Sequence, residues 1–213
     1  MTERRGRFIS LEGGEGAGKS TLLAGLRTHI AGQGIELVQT REPGGTPVGE
    51  AVRAIVLDPR ERGMAAETEL LLMFASRAQL VREVIAPALA AGRWVLCDRY
   101  VDASYAYQGG GRGQPFARIA ELERWACAGL VPDLTLLLDL PVAMGRTRAA
   151  GRGEADRIET EADAFFERVR ESYRARAAAE PARFRLIDAG QPPQAVLSAA
   201  IAALAPLFAD NAA

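Results

Sequence analysis

The segment Gly13-Gly14-Glu15-Gly16-Ala17-Gly18-Lys19-Ser20 matches G-x-x-x-x-G-K-[ST] at every fixed position. Glycines there let backbone N–H groups turn inward around an anion. A lysine can follow a chain of phosphates as a compact ammonium, and the hydroxyl beside it can ligate a divalent cation. The chemistry implied is the cradling of ATP phosphates by Gly13 to Thr21, with Lys19 on the β- and γ-phosphates and Ser20 on Mg²⁺. Of the 26 basic residues only one is lysine, and it is Lys19. Trp94-Val95-Leu96-Cys97-Asp98 is an apolar run ending in a carboxylate. An acidic residue at such a strand end completes the Mg²⁺ environment of P-loop proteins, which makes Asp98 the second metal candidate.

Arginines supply the remaining chemistry. Arg99 follows Asp98, and Arg41 closes an earlier strand-like run. At the carboxyl edge of a doubly wound sheet the two would meet where ligands bind. A guanidinium grips phosphate bidentately and stays charged, so the pair suits a second phosphate; surface salt bridges are the alternative. Gly151-Arg152-Gly153-Glu154-Ala155-Asp156-Arg157 is polar and carries two glycines and two arginines. It reads as a lid at about 150–160 that brings positive charge to a migrating phosphoryl group, or as a solvated loop.

Elements must hold these residues in place. Short apolar runs at Arg7–Glu12, Ile35–Thr40, Arg93–Asp98, Leu134–Asp139 and Arg183–Ile187 read as five strands. Between them lie helical stretches at Lys19–Ile30, Val48–Leu57, Phe116–Ala128, Val142–Ala149, Ala162–Ala179 and Gln194–Phe208, and a long one over Ala65–Ala91 bent near Pro87. Alternating strands and helices give an α/β fold with a five-stranded parallel sheet covered on both faces. The 213 residues suffice for one domain over the whole chain.

Composition narrows the field. A formal net charge of −1 provides no field toward nucleic acid or membrane, and charges interrupt every apolar run well before the about 18 residues of a membrane span. A cytoplasmic protein is expected. Cys97 and Cys127 make neither a disulfide framework nor a zinc site. A GTPase would need an Asn-Lys-x-Asp motif, and no lysine lies beyond Lys19. The lone His29 falls in the helix after the P-loop, away from the carboxyl edge of the sheet.

Together these motifs resemble the thymidylate kinase family over Phe8 to about Asp188. The marks are Phe8–Thr21, Arg41-Glu42-Pro43-Gly44-Gly45-Thr46, Phe74-Ala75-Ser76-Arg77-Ala78-Gln79, Asp98-Arg99-Tyr100, Tyr105-Ala106-Tyr107-Gln108-Gly109 and Asp156-Arg157-Ile158-Glu159. The resemblance implies a P-loop nucleoside monophosphate kinase fold with a lid, the reaction of ATP with dTMP, Mg²⁺ as cofactor, and a homodimer. It implies Phe74 stacked on thymine, although Leu70, Leu71, Phe74 and Ala78 also share one helical face and read as core. Arg77 would bond a thymine carbonyl, with Ser104 and Gln108 on the rest of the base edge. Arg41 and Arg99, beside Pro43, would hold the dTMP phosphate. Glu12 would sit near the 3′-hydroxyl, Tyr105 against the sugar, and Arg148 on adenine. Some members carry a catalytic arginine in the P-loop; this loop holds Glu15 instead and resembles the bacterial type, with Arg152 as first lid candidate and Arg157 as second.

Overall fold

The computed structural model describes residues 5–150 and 155–212. Five parallel strands form one sheet in the order β2-β3-β1-β4-β5: β1 is Phe8–Gly13, β2 Leu37–Arg41, β3 Trp94–Asp98, β4 Leu134–Asp139 and β5 Phe184–Asp188. All of β1 and the first five residues of β4 are buried, which is why both are mostly apolar, with Ser10 and Thr135 hydrogen-bonded to each other at 2.9 Å between them. The order places β1 between β3 and β4, so the carboxyl ends of β1 and β3 meet at the switch point where open α/β sheets bind ligands.

Leu22, Leu26 and Ile30 line one stripe of α1 (Lys19–Gly32) and pack with Val196, Ala200 and Leu204 of α9 (Pro193–Ala212) against Ile9, Leu11 and Leu136. On the opposite face, α3 (Ala66–Leu80) and α6 (Phe116–Ala126) cover Phe8, Val95 and Cys97. There α8 (Asp163–Ala179) adds Phe165, Val169 and Tyr173 over Leu137 and Phe184. The single helix α2 (Pro47–Leu57) lies beside α3, with Val52 and Val56 against Met73.

The helix expected over Ala65–Ala91 is three pieces. α3 ends at Leu80, Val81–Ile85 form a π-helical turn, and α4 (Ala86–Ala90) completes the run. Pro87 lacks an N–H and its ring clashes with the carbonyl four residues back, so the ladder widens just ahead of it. A second π turn, Tyr105–Gly111, continues α5 (Val101–Ser104) in a segment where three successive glycines argue against a helix. Gly109 serves contact with α6 and the other two with α8: a Cβ on Gly110 would lie 2.7 Å from the Ser172 Cβ and 2.8 Å from the Arg168 carbonyl. After α7 (Val142–Ala149), Arg152 falls outside the described residues. Among the described residues no helix is long and apolar enough to cross a membrane.

Candidate active site

The P-loop leaves β1 and enters α1 with Gly13, Gly16 and Gly18 at φ of 141°, 71° and 89°, a region that favours glycine. Gly16 is also pressed against α7, where an added Cβ would stand 2.0 Å from the Gly145 carbonyl oxygen. Lys19 Nζ donates to the carbonyls of Gly13 and Gly14 at 3.1 and 3.2 Å, spanning the loop mouth. Burial, and then the neighbouring Arg99 charge, pull its ammonium below the ordinary lysine value. A polyanion arriving there would relieve both.

Several cavities adjoin the loop, and two of them lie on its opposite sides. The larger, about 350 Å³, runs from Lys19 and Ser20 to Asp98, Arg99 and Gln108 and suits a small ligand. The smaller, about 160 Å³, lies at the start of α1 between Thr21, Leu22 and the first turns of α9. Arg148 lines this second cavity, anchored by a 2.8 Å bond to the Ala189 carbonyl.

Three arginines converge on the larger cavity. Arg41 ends β2 and pairs with Glu50 at 2.9 Å. Arg99 follows β3. Arg53, from α2, reaches in and donates to the Pro43 carbonyl at 3.1 Å. Its guanidinium is held below its usual value by burial and by Arg41. Sequence reading missed Arg53, which looks like one more charge on an amphipathic helix. Its only signal is membership of the helix that the Arg41–Thr46 loop starts. That loop is tightly specified: Thr46 caps α2 by accepting from the Gly49 N–H at 3.0 Å, and Pro47 takes the first helical position. Gly45, at φ 78°, has no room for a Cβ, which would fall 2.3 Å from Thr40 Oγ1.

Arg99 is a non-glycine residue at φ 69°. Its Nη1 donates to the Gly13 carbonyl at 2.9 Å and its Nη2 to Glu15 at 2.6 Å, and its guanidinium lies 4.8 Å from the Tyr107 ring centre. The backbone turn is pinned from below, because Glu12 accepts from the Tyr100 N–H at 2.7 Å and from the Tyr173 hydroxyl at 2.7 Å. Glu12 is fully buried and does not line the larger cavity. Strand alternation sends it to the same face as Phe8 and Ser10, under α8. Burial, then the charge of Asp102, push its carboxyl up to about 8. Of Glu12 and Glu15 it is Glu15 that faces the cavity, and it also accepts from the Tyr107 hydroxyl at 3.1 Å. Likewise it is Tyr107 that lines the cavity, while Tyr105 bonds Glu123 at 2.6 Å and carries Arg176 on its ring. The π turn sets which of the two tyrosines faces inward.

Behind the cavity wall, Arg77 has no solvent exposure. Its Nε donates to Glu42 at 2.7 Å, Nη1 to Ser104 Oγ at 3.0 Å and Nη2 to the Tyr100 carbonyl at 3.2 Å. It stacks 4.5 Å from the centre of Phe74, which belongs to the α3 core. Phe74, Arg77 and Ser104 thus form one buried layer, whereas Pro43, Glu42 and Gln108 reach the cavity itself. Glu42 Oε1, Gln108 Oε1 and Asp98 Oδ1 are buried and have no hydrogen-bond partner within the protein.

Within the segment expected as a lid, a turn is held by Asp156, whose Oδ1 accepts from the N–H groups of Ile158 and Glu159 at 2.8 and 2.9 Å. Asp156, Ile158 and Glu159 face the larger cavity. Arg157 faces the other way and bonds the Val56 carbonyl at 2.8 Å and Glu69 at 2.5 Å. The second lid candidate is therefore a buried clasp in this arrangement, because the Asp156-capped turn alternates its side chains across the segment.

Residues 11–200 match the family model described as thymidylate kinase. The chain belongs to the thymidylate kinase family. It is 59% identical over 202 residues to the thymidylate kinase of Alkalilimnicola ehrlichii, covering 94% of this chain and 93% of that protein. It is 57% identical over 201 residues to the thymidylate kinase of Pseudomonas entomophila, covering 94% and 95% of the two chains. With Pseudomonas syringae pv. tomato the identity is 58% over 186 residues, 87% of this chain and 89% of that thymidylate kinase. For a thymidylate kinase the arrangement has a clear logic. The P-loop stands between the two cavities, the smaller lined by Arg148 and the larger reaching Arg99. The larger is rimmed by arginines and contains polar atoms with no hydrogen-bond partner among the described residues.

Proposed function

We propose the following division of labour for the family's reaction. The chain transfers the γ-phosphoryl group of ATP to dTMP, forming dTDP and ADP. The observation that carries the assignment of sites is the P-loop lying between an arginine-rimmed cavity and a separate base-sized cavity. ATP occupies Gly13 to Thr21 with adenine beside Arg148. dTMP occupies the larger cavity with its phosphate among Arg41, Arg53 and Arg99. Glu15 and Tyr107, adjoining Arg99, take the sugar side. Gln108 addresses the base from the cavity; Arg77, covered by the cavity wall, reaches it when the base enters that layer, and Phe74 and Ser104 support Arg77.

An oxygen of the dTMP phosphate attacks the γ-phosphorus. The bond from that phosphorus to the bridging oxygen breaks, and ADP leaves with the electron pair. The nucleophile is already anionic, so no general base is required and catalysis is positioning plus charge stabilisation. Lys19 moves from the loop carbonyls to the γ-phosphate oxygens as charge develops there. Arg99, rigidly held by Gly13, Glu15 and Tyr107, keeps the two phosphates from repelling one another apart. Arg152 supplies the lid charge.

The residues fit Mg²⁺. Asp98 Oδ1 is a buried oxygen with no partner, and it lines the same cavity as Ser20. Among the described residues no three acidic, thiol or imidazole groups converge, which accords with an ion held by one or two protein oxygens, waters and phosphates. Bound there, Mg²⁺ would neutralise charge on the β- and γ-phosphates. We further take the enzyme to be a cytoplasmic homodimer, with the half-exposed Leu71 of α3 at the contact; sedimentation should give twice the chain mass.

The test is a coupled ADP-release assay with ATP and dTMP, dUMP, dCMP, AMP or GMP. dTMP should have the highest kcat/KM by at least tenfold over dCMP and the purine nucleotides. An equal or better purine nucleotide would refute the assignment of the larger cavity.

A further inference from the structure

Gln108 is 1% exposed, lines the larger cavity, and leaves its Oε1 without a partner. Its Nε2 donates to Glu69 Oε1 at 2.9 Å. Which end of a glutamine amide faces which way is decided by its partners. Here the partner is an ionised carboxylate, which can only accept, so the NH₂ end must face Glu69 and the carbonyl end must face away.

Glu69 is itself buried, at 1% exposure, and has no freedom to change role. Arg157 Nη2 donates to its Oε2 at 2.5 Å, and Arg112 Nε forks between that oxygen at 3.2 Å and Oε1 at 3.4 Å. Burial acts to raise the Glu69 carboxyl, but hydrogen bonds from Gln108 and Arg157 and the charges of Arg112 and Arg157 outweigh it and hold it below the usual range. The carboxylate is therefore charged, doubly clasped by arginine, and pointed at one end of one amide.

We propose that Glu69 is a specificity-determining positioning residue: it locks the Gln108 amide with Oε1 as a lone hydrogen-bond acceptor toward the dTMP base, so the site takes a pyrimidine with an N3–H and rejects one with a bare N3. The inference rests on the reading that Gln108 addresses the base. Arg77 donates to Ser104, four residues before Gln108, and two of its five N–H groups are not used by Glu42, Ser104 or Tyr100. The glutamine acceptor complements the N3–H of thymine, and Arg77, fully buried behind the cavity wall, would supply a donor to the C4 carbonyl only when the base enters that layer. Cytosine presents a bare N3 and an amino group, the inverse pattern. The wrong base would leave a buried acceptor facing an acceptor, which is how a polar site rejects by more than shape.

Glu69→Gln gives a directional test. Arg112 and Arg157 can only donate, so they draw the carbonyl end of the new amide to the Oε2 position. Its NH₂ end then faces Gln108 and forces that amide to turn over, presenting NH₂ to the base. The ratio of kcat/KM for dTMP over dCMP should fall at least tenfold, through loss with dTMP and gain with dCMP, while the ATP dissociation constant stays within about threefold. Gln108→Leu should also lower the ratio, and adding Glu69→Gln to Gln108→Leu should lower it no further. If Glu69 serves only stability, both nucleotides lose equally and the ratio is unchanged, which overturns the proposal. If Gln108→Leu leaves the ratio unchanged, the reading of Gln108 fails with it. If Gln108→Leu lowers the ratio and Glu69→Gln does not, only the role of Glu69 fails. The wild-type protein gives a test that needs no buried variant at position 69: bound [3-¹⁵N]dTMP should show an N3–H proton protected from solvent exchange, and that protection should disappear in Gln108→Leu. Absence of the protected proton in the wild type overturns the proposal.

Discussion

Arg77→Ala should do two separable things. Arg77 and Glu42 are a buried ion pair at 2.7 Å with side-chain exposures of 0% and 1%. Removing one member of such a pair leaves the other charge uncompensated, at a cost of about 3–5 kcal/mol. For a domain of this size about 2–4 °C of Tm follows each kcal/mol, so the loss should be roughly 6–20 °C. Burial already raises the Glu42 carboxyl, and Arg77 is what opposes that rise. Without Arg77 the folded-state value climbs further above the unfolded one. Stability of the variant is then fully present below the unfolded carboxylate range and is lost as pH rises through the raised value. The deficit against wild type should thus be smaller at pH 5 than at pH 8, and Glu42→Gln in the same chain should recover much of it. Function falls independently. Losing a hydrogen bond from a charged donor costs about 1.5–3 kcal/mol, or roughly 10- to 150-fold in kcat/KM for dTMP, with the KM for ATP little changed. The measurements are thermal denaturation at the two pH values and initial rates with each nucleotide varied. A Tm within about 2 °C of wild type at pH 8 would refute the buried-pair argument. Equal losses toward dTMP and ATP would refute the base-reading role.

Lys19→Ala should lower kcat at least about 100-fold while the circular dichroism spectrum and melting cooperativity are retained, since Lys19 bonds only loop carbonyls here. Arg53→Ala should raise the KM for dTMP about tenfold or more and leave that for ATP unchanged; a reversed pattern would move Arg53 to the ATP side. Glu12, raised to about 8, holds its proton in the folded state over a pH range where the unfolded chain has lost it. Its contribution should decline by about 1.4 kcal/mol per pH unit between the ordinary carboxylate range and about 8. Glu12→Gln should remove that component from a urea-denaturation series across pH 5 to 9; an unaltered slope would place the titration elsewhere.

The fold and the P-loop conformation were legible because their causes are local. A P-loop needs particular φ values and close approaches at Gly13, Gly16 and Gly18, and no other residue type supplies them. A doubly covered parallel strand is mostly apolar, so Leu134 to Leu138, with Thr135 as the one polar residue, announce themselves. Side-chain direction on the dTMP side was not legible, because it depends on phase. Glu12 and Glu15 are three residues apart, yet strand alternation buries the first and the loop turns the second into the cavity. Tyr105 and Tyr107 exchange roles because the chain runs through a π turn, where ordinary helical spacing misjudges the facing side. Arg157 lies in a turn whose geometry follows from Asp156 capping, and its partner Glu69 is 88 residues away.

The same contrast explains how two phosphates and one base can be handled by a chain with one lysine. On the division of labour proposed above, the ATP side would use backbone N–H groups and a single ammonium, because phosphates bring their own charge and need little orientation. The dTMP side would have to fix directions, and the arginines proposed for it are themselves fixed: Arg99 by Gly13, Glu15 and Tyr107, Arg77 by Glu42, Ser104 and Tyr100. Each planar guanidinium spends some of its five N–H groups on the protein and keeps the rest in a known orientation. A lysine in either place would keep the charge and lose the orientation, so Arg77→Lys should spare much of the stability lost in Arg77→Ala while recovering little of the preference for dTMP. If Arg77→Lys instead restored both, charge alone would suffice and the fixed fork would not be what reads the base.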